Sequence, residues 1–231
     1  MDIKLLQENL VHALTKITRV VPTRPQLPIL QNIRLDASKE GLNITGTNME
    51  TTETVWVGGK IEKEGSLCVS ARTFFEFVSS LPPDTVRLNT KEESLYVSCG
   101  GYEAELPIVA ATEFPQGAQV APKDAGNTDK ALFIDALSHV LFAAAMDEGR
   151  PILTGVRVVE TDGQTVFIAT DGYRMSMRKV AMPIKNFASV VVPARALQEV
   201  TKLCQEDKEE KTVRVGLFSQ NQASFTVGDT T

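Results

Sequence analysis

Cysteine is scarce in these 231 residues: Cys68, Cys99 and Cys204 lie far apart and none forms a CxxC pair. An odd, scattered set argues against a disulfide framework and against a structural zinc site, and each thiol reads as a small buried hydrophobe. Histidine is scarcer still. His12 and His139 are the only two, and both fall opposite the apolar stripe of a predicted helix, on a solvated face. No apolar run nears the roughly 18–20 residues needed to span a bilayer. The charged N-terminal stretch has no uninterrupted apolar core of the signal-peptide kind, so the chain reads as cytoplasmic. No serine sits in a GxSxG elbow and no GxGxxG follows a strand. Gly58, Gly59 and Lys60 imitate a phosphate loop, but Thr54 stands where the upstream glycine belongs and Ile61 where Ser or Thr is required. The acidic run Glu206, Asp207, Glu209 and Glu210 is interleaved with Lys208 and Lys211, which makes it a solvated loop rather than a metal cage. Nothing assembles a nucleophile, a base and an oxyanion donor. The expectation is a protein that is not an enzyme and that uses no cofactor and no metal.

What is present is an ordinary globular composition, 42% hydrophobic and 23% charged, with 24 basic against 29 acidic residues and a net charge of −5. That balance exerts no global pull on nucleic acid, so any DNA function must rest on local charge or on topology. The strongest signal is an internal repeat. LPILQNIRL, from Leu27, is echoed by RPILTGVRV, from Arg150, at an offset of 123 residues. At the same offset Thr47 and Asn48 fall on Thr170 and Asp171, Val69 on Val192, and Ala71 and Arg72 on Ala194 and Arg195. TVRL from Thr85 recurs as TVRV from Thr212, and Gly100 recurs as Gly228.

Each copy follows one plan. A helix comes first, with Leu6, Leu10, Leu14 and Ile17 on one face in the first copy and Phe133, Leu137, Val140 and Ala144 in the second. Short alternating strands follow, and Asp171-Gly172 reads as a hairpin turn. A second helix begins near Ala71 and again near Ala194, the first closed by Pro82-Pro83. Strands over Val86 to Thr90, Leu95 to Cys99 and Tyr102 to Leu106 complete the first copy. The fold class is therefore α+β, two αβββ-αβββ-like units with helices covering one face of antiparallel sheets. Residues 116 to 127 read as the linker, dividing the chain into 1–117 and 127–231. The second copy lacks the strand region that follows Gly100 in the first, which leaves either a naturally frayed end or, as favoured here, a fragment of a longer chain.

Charge is patterned locally. His12, Lys16 and Arg19 lie on the face of the first helix opposite Leu6, Leu10 and Ile17. Arg72, Arg195 and Lys202 lie away from the apolar residues of the second helices, and the loop over residues 18–26 adds Arg24. On equivalent elements of a repeat, such residues could form one stripe toward a polyanion, through phosphate contacts that carry no sequence information.

RPQLPILQNIRL, ITGTNMET, SARTFF, TEFP and above all ATDGYRMS, in this order and spacing, resemble the bacterial DNA polymerase III beta subunit, the sliding clamp family. The resemblance implies tandem clamp-type domains, antiparallel sheets on the outside and two helices per domain on the inner face. It implies a subunit of three such domains, the third absent here, and a homodimer ring around duplex DNA that acts as a processivity factor. DNA contacts would then come from Arg24, Lys16, Arg19, Arg72, Arg195 and Lys202, and from a second loop near Asp147 to Arg150, where acidic Asp147 and Glu148 leave Arg150. A cleft for short linear peptides of the replicative polymerase, clamp loader and repair proteins would use Leu153, Thr170, Gly172, Tyr173, Arg174 and Met175. Thr73 and Leu106 would lie at the subunit interface. Two alternatives stay open: a two-repeat clamp closing as a trimer, which needs a complete second repeat, and an acidic cytosolic α+β enzyme or ligand-binding protein, which needs a convergent titratable pocket.

Overall fold

A computed structural model describes residues 1–115, 125–147, 149–182, 189–218 and 222–231. The chain divides into two compact units, Met1–Gln119 and Val120–Asp229, with Thr230 grouping with the first. The linker expected over 116 to 127 lies, for residues 116–124, outside the described residues, and so does Glu148.

In the first unit the elements run β1 (Asp2–Leu6), α1 (Gln7–Ile17), β2 (Asn32–Ser38), β3 (Gly41–Thr47), β4 (Thr52–Val57), β5 (Lys60–Lys63), β6 (Gly65–Ser70), α2 (Ala71–Ser80), β7 (Thr85–Lys91), β8 (Ser94–Cys99) and β9 (Tyr102–Ala110). They form one nine-stranded sheet in the order β4-β3-β2-β6-β9-β8-β7-β1-β5. The alternation seen in the sequence sets its face: Ile33 and Leu35 of β2, Leu42 and Ile44 of β3, and Val86 and Leu88 of β7 are buried, their neighbours less so. Onto that face α1 lays Leu10, Ala13, Leu14 and Ile17, and α2 lays Phe74 and Val78. Each of the larger side chains contributes about 1.5–3 kcal/mol. Gln7, also buried, ties the helices together by donating from Nε2 to the Val78 carbonyl at 3.0 Å. Ser70 caps α2 by accepting from the Thr73 amide at 3.4 Å, and the helix stops before Pro82, as the two prolines demand. On the opposite side of the sheet, Arg87 grips Asp2 with two bonds (2.9 and 2.6 Å) and Lys4 reaches Glu62 at 2.8 Å, joining β7, β1 and β5.

The second unit repeats this order: β10 (Gly126–Asp129), α3 (Lys130–Ser138), β11 (Gly155–Thr161), β12 (Gln164–Thr170), β13 (Met175–Val180), β14 (Ser189–Pro193), α4 (Ala194–Glu206), β15 (Thr212–Phe218) and β16 (Gln222–Thr226). The described strands make sheets β13-β12-β11-β14 and β10-β15-β16 around a separate core that includes Phe133, Leu137, Phe167, Leu197 and Val213. Pro28–Gln31 and Pro151–Thr154 form the same short 3-10 turn ahead of β2 and β11, with proline at its start. All three cysteines are buried, and burial pushes the Cys68 and Cys204 thiols up to about 11.

Three expectations need correction. A strand precedes the first helix of each unit, so Leu6 ends β1 and points to solvent instead of joining the helix stripe. Residues 126–127, expected in the linker, belong to β10, which pairs with β15 from Gly126↔Val215 to Asp129↔Thr212. And α3 ends at Ser138 rather than continuing through Ala144. The Ser138 hydroxyl donates to the Asp135 carbonyl at 2.8 Å, His139 Nδ1 lies 2.7 Å from the same oxygen, and a 3-10 turn over Leu141–Ala143 follows.

The repeat extends to the atoms of one turn. Between β3 and β4, Asn48 Oδ1 accepts from the amides of Glu50 (3.0 Å) and Thr51 (2.7 Å), while Thr47 Oγ1 donates to the Thr51 carbonyl at 3.0 Å. Between β12 and β13, Asp171 Oδ1 accepts from Tyr173 and Arg174 (both 2.9 Å), and Thr170 Oγ1 donates to the Arg174 carbonyl at 2.7 Å. The hairpin expected at Asp171-Gly172 is thus a four-residue loop closed by the Thr170↔Met175 pair. Its second position is left-handed in both units, Met49 at φ 77° and Gly172 at φ 91°. The Met49 side chain is 62% exposed, so it loses little packing when removed. Met49→Gly relieves a left-handed backbone costing an L-residue roughly 1–2 kcal/mol, against a smaller gain in unfolded-chain freedom. The expected result is a net gain of about 0.5 kcal/mol in urea unfolding; a loss of similar size would mean that the side chain contributes packing.

Candidate peptide cleft and basic surface

The site builds outward from the Asp171 carboxylate. It accepts the Arg174 and Tyr173 amides on Oδ1 and the Arg174 side chain on Oδ2 at 3.0 Å. Those bonds, the Arg174 amide first and then the Tyr173 amide, hold the Asp171 carboxyl below the usual carboxylate range. Arg174 is in turn fixed rather than free: its Nη2 donates to the Phe142 carbonyl at 2.8 Å and its guanidinium stands over the Phe142 ring at 5.7 Å. Further support comes from the segment before β11. Leu153 donates its amide to the Arg150 carbonyl at 3.0 Å and accepts the Ala145 amide at 2.9 Å.

On this frame the turn holds apolar groups out to solvent. Tyr173 is 94% exposed and Met175 67%, with Ile152, Phe142 and Met177 also exposed, while Leu153 and Thr170 are half-buried. Met175 and Met177 lie on one face of β13, an edge strand, opposite Thr170 and Ile168 of β12. Isolated exposed apolar side chains are ordinary, but here several stand together on one hydrogen-bonded turn and the strand it opens, as an exposed apolar ledge. Of the residues expected at a peptide cleft, Thr170, Gly172, Tyr173, Arg174 and Met175 share this turn and its closing pair, and Leu153 lies in the segment whose Arg150 reaches the turn. Sequence reasoning does not find Phe142 or Asp171 as parts of the site. Phe142 lies 32 residues from the arginine it supports, and in the sequence Asp171 is simply a turn former. The Asp171-Gly172 pair beside the Thr170 hydroxyl is the available signal.

The basic residues divide differently. Arg24 is exposed on a loop whose Thr23 carbonyl accepts from Gln31 Nε2 at 3.3 Å. Arg195 is exposed and Arg19 half-buried. Arg72 is exposed but ion-paired to Glu76 at 2.8 Å, and Lys202 to Glu199 at 2.6 Å. Lys16, expected on the solvated face of α1, is only 6% exposed, and its ammonium donates to the Thr230 hydroxyl at 3.0 Å. Arg150, expected with the DNA contacts, lies against the cleft turn, its Nη2 3.4 Å from the Asp171 carbonyl. At the expected subunit interface Thr73 is exposed, but Leu106 is buried in the first core; β9 presents Tyr102, Glu103, Glu105 and Pro107 to solvent instead. Among the described residues no three His, Cys, Asp or Glu side chains gather as a metal site, and no helix is long and apolar enough to cross a membrane.

Two successive helix-on-sheet units of one plan, the second bearing an exposed apolar ledge on a fixed turn, define a duplicated α+β fold. The family model for the DNA polymerase III beta subunit, N-terminal domain, matches residues 1–118, and that for its central domain matches 127–231. The chain belongs to the bacterial DNA polymerase III beta subunit family. It is 31% identical to the beta sliding clamp of Synechococcus elongatus over 96% of this chain and 61% of that one. Among solved structures it is similar to the DNA polymerase sliding clamp of Bacillus subtilis, at 26% identity and a TM-score of 0.92, covering 100% of this chain and 63% of that one. Likewise it is similar to the pol III beta of Caulobacter crescentus, at 25% identity, a TM-score of 0.92 and the same coverage. The chain spans about three-fifths of the length of the curated relatives it matches.

Proposed function

We propose that this chain supplies two of the domains of a cytoplasmic sliding clamp, a non-catalytic processivity factor whose full-length form closes as a homodimer ring around duplex DNA. Retention by encirclement suits a protein of net charge −5, because a clamp has to slide and every phosphate looks alike to a diffuse basic lining. Arg24, Arg19, Arg72, Arg195 and Lys202 are the residues proposed for that lining. Two of them, Arg72 and Lys202, share their charge with a neighbouring carboxylate, which favours weak and mobile contact over gripping. Thr73 and the exposed residues of β9 are proposed at the subunit interface.

The replicative polymerase, and with it the clamp loader and repair proteins, is proposed to dock a short linear peptide on the ledge of Leu153, Thr170, Gly172, Tyr173, Arg174 and Met175. The observation that carries this reading is the exposure of Tyr173 and Met175 on a turn that its own hydrogen bonds make rigid: apolar anchors are held out with the ordering cost already met by the fold. The test is fluorescence polarisation of a labelled polymerase tail peptide on the full-length protein. Wild type binds, and Met175→Lys, which alters an exposed side chain, lowers affinity roughly tenfold or more with an unchanged melting temperature. Equal affinity of the two proteins, or no binding by wild type, overturns the reading.

A further inference from the structure

We propose that Glu76 and Glu199 are positioning residues of the basic lining: each carboxylate holds a cation of its own helix back from phosphate, and the two together set how freely the ring slides. The inference rests on the reading of α2 and α4 as part of a DNA lining and names what governs the strength of that lining.

Three observations carry it. The first is recurrence. The offset of 123 residues that takes Ala71 and Arg72 onto Ala194 and Arg195 also takes Glu76 onto Glu199. Both helices therefore open with the same A-R-x-x-x-E pattern, although the residues between differ, Thr73, Phe74 and Phe75 against Ala196, Leu197 and Gln198. Another is geometry. Arg72 Nε donates to Glu76 Oε1 at 2.8 Å, with the two side chains 87% and 62% exposed. Lys202 Nζ donates to Glu199 Oε1 at 2.6 Å. Arg195, Glu199 and Lys202 stand at i, i+4 and i+7 on one face of α4, so the carboxylate occupies the middle of a basic stripe. A phosphate that takes one of these cations has to displace the carboxylate or lie beside a like charge. The third is how little the arrangement gives the helix. Arg72 and Arg195 sit in the first turn, where the helix dipole disfavours a cation. Each has its glutamate on the C-terminal side, the weaker order for charges four residues apart. Phe74 and Val78 of α2, and Leu197 and Val200 of α4, already hold the helices in their cores. A carboxylate placed twice among residues proposed to meet a polyanion, with little to offer folding, acts on the polyanion.

The test measures binding of the full-length protein to a short labelled duplex across a salt series, together with tracking of single clamps along stretched DNA. Glu76→Gln/Glu199→Gln is expected to bind the duplex roughly three- to tenfold more tightly than wild type, the size expected when two exposed pairs stop competing with phosphate. Its affinity is expected to fall more steeply with salt and its diffusion along DNA to slow, with an unchanged melting temperature. Glu40→Gln/Asp162→Asn removes the same two charges from the exposed β2–β3 and β11–β12 turns and is expected to leave affinity and diffusion close to wild type. In an Arg72→Gln background, Glu76→Gln is expected to add little, because its effect passes through the arginine. No gain beyond that of the charge control, or a full gain from Glu76→Gln without Arg72, overturns the inference and leaves the lining standing. If Arg72→Gln/Arg195→Gln/Lys202→Gln binds the duplex as well as wild type, the lining reading falls and takes the inference with it.

Discussion

Phe133→Ala is expected to cost the second unit about 3–5 kcal/mol, the usual range for removing a fully buried phenyl ring. The ring is 1% exposed, meets Phe167 edge-on at 6.1 Å and an interplanar angle of 76°, and tilts against Phe225 at 5.9 Å. It therefore joins α3 to both of the unit's described sheets. The two hydrophobic cores share no residue, so the damage is expected to stay local. Trp56, the chain's single tryptophan, reports on this separately, because it lies on β4 of the first unit and packs beside Gly41 and Gly58. In urea, far-UV circular dichroism of the variant shows an early transition while the Trp56 fluorescence midpoint stays in place. One shared, shifted midpoint for both probes would show that the cores unfold as a single cooperative unit.

Another large effect is expected at Asp171. Asp171→Ala removes the acceptor that orders the Tyr173 and Arg174 amides and leaves the Arg174 side chain held from Phe142 alone among the partners named here, so a peptide must then order the turn as it binds. Affinity is expected to fall roughly tenfold or more, with the melting temperature little changed. Asp171→Asn retains one side-chain oxygen, the arrangement Asn48 uses in the first unit, and is expected to keep most of the affinity. Acid separates the two as well. The Asp171 carboxyl is held below its ordinary value, chiefly by the Arg174 amide, so the ionised form is favoured in the folded turn. Its contribution is complete above the unfolded value, about 3.9, and is lost only as pH falls through the lower folded value. Binding limited by this group is flat from neutrality into the ordinary carboxylate range and declines below it, and Asp171→Asn lacks that decline. A wild-type profile that titrates nearer neutrality would assign the control to another group.

Much of this architecture is legible in the chain because the repeat writes it twice. Pro-Ile-Leu sets the same 3-10 turn in both units, alternation sets the strand faces, and Pro82-Pro83 stops α2. The parts that escape are those governed by distant or purely backbone partners. β10 has no apolar pattern, and it is a strand because β15 offers it a ladder. β1 is masked because Ile3 and Leu5 run straight into the helix stripe. The wheel of α1 puts Lys16 in solvent, whereas in the fold it is buried and reaches Thr230, far along the chain. The cleft is readable as a motif, yet its bracing is not: Arg174 and Phe142 meet through folding, and so do Arg150 and the Asp171 carbonyl, 21 residues apart.

The paired turns after β3 and β12 carry a consequence for how capture arises. Their hydrogen-bond frames agree residue by residue, yet one presents Glu50 and Thr52 where the other presents Tyr173 and Met175. The loop is therefore an inherited chassis, indifferent to its cargo. Acquiring a ligand on such a frame takes a change of decoration, a pair of greasy side chains in place of polar ones, with no redesign of the backbone beneath them.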